Sequence, residues 1–274
     1  MSKEPLRTSP ALEQIIAIAI KNLKIKLRNW HTYLYTIGFP IVFTVLFFFM
    51  FGSQDIETMS GWVVFDFAIA GMLVYAASFG TINAASAFSY EKHQGTLIRL
   101  DTTPIGRDKI FIGTLVSEAV ILIIQLIIMF IIGYVVMQLR WHDYNIGLLL
   151  IGFIIMFIFG LSTLGLGIII SAYAKSEDTA VGIAMMYALP TTFLSGAMIP
   201  FESAIVYAFP PYYAFQIYTQ VVINGENFWT TNLMSNTGTG YTSLPLWGAF
   251  LIIVAFLAVT LIIGIILFQR KTLT

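Results

Sequence analysis

The chain has 274 residues, of which 58% are hydrophobic and only 10% charged, and its formal net charge is zero. A soluble domain carries about 25% charged residues and must present a wettable surface, so this composition predicts that lipid surrounds much of the chain. The zero net charge excludes a globally basic nucleic-acid binder, and the absence of cysteine excludes disulfides and thiolate metal sites.

The first predicted element is an amphipathic helix over residues 10–30, begun by Ser9 and Pro10, because proline fits the first helical position. Its apolar residues recur at three- and four-residue steps: Leu12, Ile16, Ala19, Leu23, Leu27 and Trp30. A different face carries the basic residues Lys21, Lys24 and Arg28. The pattern predicts a helix that lies in the cytoplasmic membrane interface, either as a working part or as a simple anchor.

Six apolar stretches follow, and each is long enough to cross a bilayer core of about 30 Å, which needs roughly 20 residues as a helix. They are predicted at Tyr33–Phe51, at Phe67–Tyr90, around a core at Ala119–Leu139 that begins near Phe111 and so includes Glu118, within Tyr144–Ala174, at Thr179–Pro200 and at Leu246–Phe268. No cleavage pattern follows the first stretch, so we interpret it as a retained span. The predicted fold class is an all-α integral membrane protein with six transmembrane helices.

Basic residues orient these spans, because short cytoplasmic loops are rich in lysine and arginine. Thirteen of the fourteen basic residues fall on one side of a six-span chain, and only Arg140 falls on the other. We therefore predict a multi-pass protein of the cell (cytoplasmic) membrane with cytoplasmic N- and C-termini. The main alternative is a seventh span near residues 203–225, which would place Arg270 and Lys271 outside.

Residues 201–245 are predicted to form an external re-entrant region between the fifth and sixth spans. Pro210 and Pro211 interrupt a charge-free, tyrosine-rich stretch, and adjacent prolines block a continuous spanning helix. Tyrosine suits the membrane–water interface, so we predict two short helices that dip into the outer leaflet and return, packed against protein or lining a cavity. The polar stretch from Asn227 to Ser243 indicates an external loop.

Polar residues inside the spans are candidates for function, because they are costly in lipid. These residues are Asp66, at the outer start of the second span, Asn83 within it, and Glu118 and Gln125 in the third. For Glu118 we favour a buried pair with a basic residue of the amphipathic helix, or a hydrogen bond to a hydroxyl. A proton relay is less favoured, since no second carboxylate in that span continues a chain.

Two spans carry patterns that bear on packing. The second has small residues at four-residue spacing, which permit close approach of another helix within the subunit or across a dimer axis: Ala77, Thr81, Ala85 and Ser89. In the fifth, Pro190 with Gly182 and Gly196 predicts a bent helix. That span also carries residues that either form an adaptable apolar surface or simply face lipid: Met185, Met186, Tyr187 and Phe193.

The sequence contains no zinc-protease motif, no nucleophile elbow and no Walker-type phosphate loop. His31, His93 and His142 are far apart in sequence and are predicted to be interfacial residues rather than metal ligands. We therefore predict no catalytic residue, no metal site and no cofactor bound by this chain, and we do not expect the chain itself to hydrolyse ATP.

The loop from Glu91 to Lys109 carries the most specific pattern. An apolar–basic stretch over Thr96–Leu100 precedes a break at Asp101–Pro104, and Gly106-Arg107 restarts a helix. A short helix on the membrane surface would present Leu97, Ile98 and Leu100 to a partner, with Glu91 and Arg99 at its rim.

This loop resembles that of ABC exporter permeases of the second type, the drug-resistance and polysaccharide-export class. The similar positions are Glu91-Lys92, Gly95-Thr96-Leu97, Arg99-Leu100, Thr103-Pro104 and Arg107, whereas His93 and Ile98 depart from the pattern. Leu194-Ser195-Gly196 with Pro200, followed by the double proline, is also similar to that family. The resemblance covers nearly the whole chain. Residues 1–274 are predicted to form a single transmembrane permease domain without a large external insertion.

The resemblance implies a permease dimer, made with a second copy or a homologous permease, in contact with membrane lipid and bound to two ABC ATPase subunits that hold ATP and magnesium. Residues 91–109 would be the coupling loop, and its expected contacts with the ATPase are Glu91, Gly95, Thr96, Leu97, Arg99 and Leu100. The second and fifth spans would line the translocation path, with candidates Phe79, Asn83, Met186, Tyr187, Pro190 and Phe193.

Two other classes of function stay open at this point. An ion-coupled secondary transporter or channel needs intramembrane charge, which only Glu118 and the peripheral Asp66 offer. A polytopic membrane enzyme needs a catalytic constellation, which the sequence lacks. For an exporter, the substrate stays open among a drug, a lipid, a lipid-linked glycan and a polymer.

Overall fold

A computed structural model describes residues 11–28, 38–51, 64–93, 106–136, 143, 145–196, 204–234 and 241–271. These ranges are mostly helical, as predicted. The α-helices, in chain order, are α1 Ala11–Arg28, α2 Phe39–Phe51, α3 Val64–Ser78, α4 Gly80–His93, α5 Arg107–Ile131, α6 Ile146–Tyr173, α7 Glu177–Leu194, α8 Pro210–Tyr218 and α9 Leu246–Lys271. Two π-helical turns, Ile132–Val136 and Thr219–Ile223, extend α5 and α8, and a 3₁₀ helix covers Ala204–Ala208.

Three helices among the described residues are long and apolar enough to cross a membrane. They cover Asp108–Tyr134, Ile146–Tyr173 and Leu246–Phe268, and they overlap the third, fourth and sixth predicted spans. The other predicted spans correspond to helices that are shorter or less apolar: α2 for the first, α3 and α4 for the second, and α7 for the fifth. The chain is therefore a helical membrane protein.

The second predicted span consists of two helices that meet at Phe79. The Phe79 amide nitrogen lies 3.2 Å from the carbonyl oxygens of both Tyr75 and Ala76, so this one N–H group is shared between two carbonyl acceptors. The Asn83 amide then donates to the Phe79 oxygen at 3.0 Å, which restores the regular helical bond. Because the backbone bonds continue across the junction, α3 and α4 follow one another as a nearly continuous rod.

The small-residue stripe of the second span packs inside the subunit, against α6. Ala77, Thr81, Ala85 and Ser89 are all fully buried. A Cβ atom built on Gly167 of α6 would lie against the Thr81 carbonyl oxygen and 2.8 Å from the Ala85 amide nitrogen. This backbone-to-backbone contact requires glycine, as expected for small residues at a helix crossing. Of the two packing alternatives, the structure therefore shows the one within a single subunit.

Helix α1 lies inside the predicted range 10–30, and it packs on α5. Its buried face contains Gln14, Ile18, Ala19 and Asn22. Of the five described residues on the predicted apolar face, three are exposed, Leu12 at 67%, Ile16 at 47% and Leu27 at 63%, whereas Ala19 is buried. This helix therefore has one face against protein and a second, apolar face that remains available to the membrane interface.

The region between α7 and α9 contains a 3₁₀ helix and the short helix α8, and their predicted return through the outer leaflet stays a prediction. Pro210 and Pro211 occupy the first positions of α8, where proline needs no amide partner. All residues from Pro211 to Val222 are buried, so this segment packs against protein as the prediction requires.

A small antiparallel ribbon follows, with strands β1 Asn232–Met234 and β2 Tyr241–Pro245. The prediction of an irregular loop over Asn227–Ser243 and of an all-helical fold omitted this ribbon. Leu233 is fully buried, and the Leu246 amide donates to the Thr231 oxygen at 3.0 Å, so tertiary contacts stabilise strands too short to show a sequence period.

Candidate functional site

The candidate site lies where α1 meets the C-terminal end of α4 and the N-terminal half of α5. A glycine makes this approach possible, because a Cβ atom on Gly113 of α5 would lie 2.7 Å from Ile18 Cγ2 and 3.1 Å from the Ile15 oxygen. Ile18 is 5% exposed, so it fills the notch above Gly113. The close contact brings the polar side chains of the three helices together.

Glu91, at the end of α4, is the centre of this polar network. Its carboxylate accepts hydrogen bonds from Asn22 Nδ2 at 2.9 Å and from Thr114 Oγ1 at 2.9 and 3.0 Å. Lys21 Nζ lies 3.9 Å away. Burial raises the pKa of the Glu91 carboxyl above its ordinary value, whereas these hydrogen bonds and lysines oppose that rise. The network therefore connects residues of α1, α4 and α5 around one buried carboxyl.

Glu118 forms a second buried contact between α1 and α5. Its Oε2 atom lies 2.5 Å from Lys26 Nζ, and the Glu118 residue is only 1% exposed. This pair is the one favoured from sequence, a bond to a basic residue of the amphipathic helix, and the structure confirms it. The other carboxylate oxygen, Glu118 Oε1, has no hydrogen-bond partner among the described residues although it is fully buried.

Four further hydrogen bonds attach the helices that flank the predicted coupling loop. After the loop, Lys109 donates to Gln14 Oε1 of α1 at 2.6 Å. Before it, Lys92 donates to the carbonyl oxygens of Ala172 and Ala174, at 3.2 and 3.4 Å, where a cation complements the helix C-terminus of α6. Nearer the middle of α4, Ser86 donates to Glu177 Oε1 at the start of α7, at 2.7 Å.

A cavity of about 210 Å³ lies between these helices. Residues of α1, α4, α5 and α7 line it: Lys21, Asn22, Ile25, Lys26, Ser86, Ala87, Tyr90, Glu91, Glu118 and Glu177. Charged and polar groups form much of this wall, which is unusual for the interior of a membrane protein. No group of three or more potential metal ligands is found among the described residues.

Of the predicted coupling residues, the structure describes only Glu91, which is 4% exposed and faces Asn22 and Thr114. Gly95, Thr96, Leu97, Arg99 and Leu100 lie outside the described residues. Sequence reasoning missed Asn22 and Thr114. A usable signal was present for Thr114, because it precedes Glu118 by four residues and so shares its helix face.

The predicted path residues occupy two different environments. Phe79 and Asn83 are buried, at 4% and 5% exposure, whereas Met186 of α7 is 81% exposed. Pro190 is also exposed, and the last two candidates, Tyr187 and Phe193, are partly buried. None of the six lines the cavity described above.

Helix α7 contains the proline and ends at the glycine on which the prediction of a bent helix rested, and the bend itself stays a prediction. Pro190 lies inside the helix, and the hydroxyl of Thr191 donates to the Tyr187 oxygen at 2.8 Å. Gly196 ends the helix with a φ of 76°, which glycine adopts without strain. The Leu194-Ser195-Gly196 segment is therefore a helix C-terminus built around that glycine.

Comparison with known proteins identifies the family. A family model described as "ABC-2 type transporter" matches residues 13–223. A "Probable multidrug ABC transporter permease YbhR" from Escherichia coli strain K12 is 28% identical over 142 residues, and the same protein from E. coli O157:H7 matches equally. The matched segment covers 52% of this chain and 38% of that relative. The chain therefore belongs to the ABC-2 type transporter family and is a membrane permease subunit of an ABC transporter.

Proposed function

We propose that this permease moves a hydrophobic or amphipathic molecule, a drug, a lipid or a lipid-linked glycan, out of the cytoplasm. It would work as a dimer with a second copy or a homologous permease. Two ABC ATPase subunits, which bind ATP and magnesium, would supply the energy. The similarity to the E. coli relative, a probable multidrug permease, supports a drug-like substrate.

The proposed topology has six spans in the cell (cytoplasmic) membrane, with both termini in the cytoplasm. The distribution of basic residues supports this, since thirteen of fourteen lie on one side. The segment from Ala204 to Ile223 is proposed to be re-entrant from the outer face. The burial of Pro211 to Val222 against protein supports that assignment.

The observation that carries the proposal is the attachment of both ends of the predicted coupling loop to other helices. At its start, Glu91 is bonded to α1 and α5 and Lys92 to the end of α6. At its end, Lys109 is bonded to α1. A loop fixed in this way transmits a displacement to several helices at once, because packed elements move as rigid bodies.

In the proposed mechanism, ATP binding draws the two ATPase subunits together, and each subunit displaces the coupling loop that it contacts. Leu97 and Leu100 would supply the apolar contact and Arg99 the charged one. The displacement then passes through Glu91 and Lys109 to α1, α4 and α5. Because Ser86 of α4 is bonded to Glu177 of α7, the fifth predicted span would follow the second.

The translocation path is proposed to run along the second and fifth spans. The strong exposure of Met186 supports a role for one face of α7 outside the subunit, toward substrate or a second permease. Phe79 and Asn83, which are both buried, would contribute only if the helices separate during transport. An ion-coupled transporter is the weaker proposal, since Lys26 already neutralises Glu118.

The test of the proposed coupling is a charge in the loop. A Leu97→Glu variant is expected to lose co-purification with the ATPase subunit and substrate-stimulated ATP hydrolysis, because a charge opposes burial of that contact. A matched control is Trp229→Glu, which places the same charge at a residue that is 73% exposed and predicted to be external. Retained ATPase binding and full stimulated hydrolysis in Leu97→Glu would contradict the role of the loop.

A further inference from the structure

The two halves of the second predicted span belong to different parts of the helix bundle. Helices α2 and α8 pack on α3, whereas α7 packs mainly on α4. At its far end, α4 is bonded through Glu91 to α1 and α5, beside the predicted coupling loop. The junction at Phe79 therefore lies between a half that contacts the segment proposed to be re-entrant and a half that leads to the loop.

The junction departs from regular helical bonding. The Phe79 amide is shared between the Tyr75 and Ala76 carbonyl oxygens, each at 3.2 Å, and Phe79 belongs to neither helix. The bond to Ala76 is of the 3₁₀ type, and such a turn inside a helix often marks a hinge. Gly80 follows, and a Cβ atom built on it would lie 2.5 Å from Thr163 Oγ1. The irregular turn is therefore in direct contact with α6.

Two buried side chains from neighbouring helices bond to this turn. Gln125 of α5 donates from Nε2 to the Ala76 oxygen at 2.9 Å. Thr163 of α6 donates from Oγ1 to the Ala77 oxygen, also at 2.9 Å. Gln125 is 0% and Thr163 3% exposed. An irregular turn inside a membrane is tolerated where neighbouring helices and hydroxyl side chains bond to its backbone groups, so the conformation of this turn depends on α5 and α6.

We propose that Phe79 and Gly80 form a hinge in the second span, and that Gln125 and Thr163 are positioning residues that hold it in the conformation seen here. The Phe79 ring packs edge-on against Tyr75 of α3, with 4.9 Å between the ring centroids, so bending at the hinge moves this ring relative to α3. While both donors are bonded, α3 and α4 form a nearly continuous rod. When the donors release, α4 tilts with α7 while α3 stays with α2 and α8.

This hinge deepens the proposed function, because its role in transport rests on α4 receiving the displacement of the coupling loop. In that role it lets the loop end of the second span move without an equal displacement of the segment proposed to be re-entrant. The opposing explanation is a rigid brace, in which the two bonds add stability and no bending follows their loss. A hinge and a brace differ in two measurable properties, the local opening of the turn and the angle between α3 and α4.

The first measurement is hydrogen–deuterium exchange of the purified permease in lipid nanodiscs, followed by mass spectrometry. Thr163→Val and Gln125→Leu each keep the approximate side-chain size and remove one donor. Each is expected to raise the exchange rate over residues 76–83 about tenfold, because the loss of one buried hydrogen bond changes an equilibrium by about that factor. Thr163→Ser keeps the hydroxyl and should exchange at the wild-type rate. Thr191→Val is the matched control, because that hydroxyl bonds only to carbonyls of its own helix.

The second measurement follows the angle between the two halves, and the absence of native cysteine makes specific labelling possible. Spin labels are attached at Tyr90→Cys, near the end of α4, and at Ile205→Cys, in the 3₁₀ helix that packs on α8; both positions are exposed. Dilution with unlabelled permease restricts the measured distances to single chains. The distance distribution is expected to widen in Gln125→Leu and Thr163→Val and to stay unchanged in Thr163→Ser and Thr191→Val.

Three results would overturn the hinge. Unchanged exchange over residues 76–83 in both donor variants would show that the two bonds do not hold the turn. Equal acceleration over Leu246–Phe268 would show a general loss of stability. Faster exchange of the turn with an unchanged distance distribution would show a brace. Neither measurement uses an ATPase subunit or transport, so these failures leave the exporter proposal standing, and failure of the exporter proposal leaves the exchange and distance results intact.

Discussion

Replacement of Gly167 by alanine tests whether the close contact between α4 and α6 holds the bundle together. The new Cβ atom would contact the Thr81 carbonyl oxygen and lie 2.8 Å from the Ala85 amide nitrogen. Both are backbone atoms, so the two helix axes must separate rather than a side chain rotate. Overpacking of this kind costs about 1–3 kcal/mol.

Two other glycines provide a graded comparison. At Gly160 of α6 the nearest atoms belong only to the Leu122 side chain, at 2.6 to 3.2 Å, and that side chain can rotate away. At Gly182 of α7 nothing lies within 4 Å of a new Cβ atom. Each change from glycine to alanine gains the same intrinsic helix propensity, about 1 kcal/mol. Differences between the three variants therefore report the packing alone.

The assay is the thermal transition of the purified permease in one detergent at one heating rate. For chains of roughly 150–250 residues, 1 kcal/mol corresponds to about 2–4 °C in Tm. Relative to Gly182→Ala, whose new Cβ atom meets nothing, Gly167→Ala is expected to lower Tm by about 2–12 °C and Gly160→Ala by less. Equal transitions for Gly167→Ala and Gly182→Ala would refute the close contact and return the small-residue stripe to a dimer interface.

Since the chain has no native cysteine, Asp143→Cys should react with a membrane-impermeant maleimide on intact cells and Lys175→Cys only after lysis; the opposite result would contradict the six-span orientation. Burial raises the Glu91 pKa in the folded state, so its contribution to stability is present below the ordinary value of 4.5 and is lost as pH rises through the raised value. As pH rises from 4.5 through the raised pKa, the Tm of the wild type should therefore fall relative to the Tm of Glu91→Gln. Parallel profiles of Tm against pH in the two proteins would exclude this titration. Thr114→Val should cost about 1–3 kcal/mol, measured as a lower Tm, because it removes a donor to buried Glu91; an unchanged Tm would show that the bond is not needed.

Local patterns were sufficient to predict the helical elements. The period of apolar residues located α1, and the lengths of charge-free runs located α6 and α9, because both signals depend only on neighbours in sequence. The ribbon of β1 and β2 was not predicted, since strands of three and five residues carry no reliable period. Its stability comes from contacts with residues elsewhere in the chain.

The sequence by itself determined that this is a helical membrane protein, and it left two partners open for Glu118, a basic residue of the amphipathic helix or a neighbouring hydroxyl. Only the tertiary structure decided that this partner is Lys26, 92 residues away, and that Glu91 is buried among Asn22 and Thr114 rather than at a surface rim. The reason is physical. Helix periodicity fixes which residues share a face, but packing through Gly113 and Gly167 decides which two faces meet and at which register.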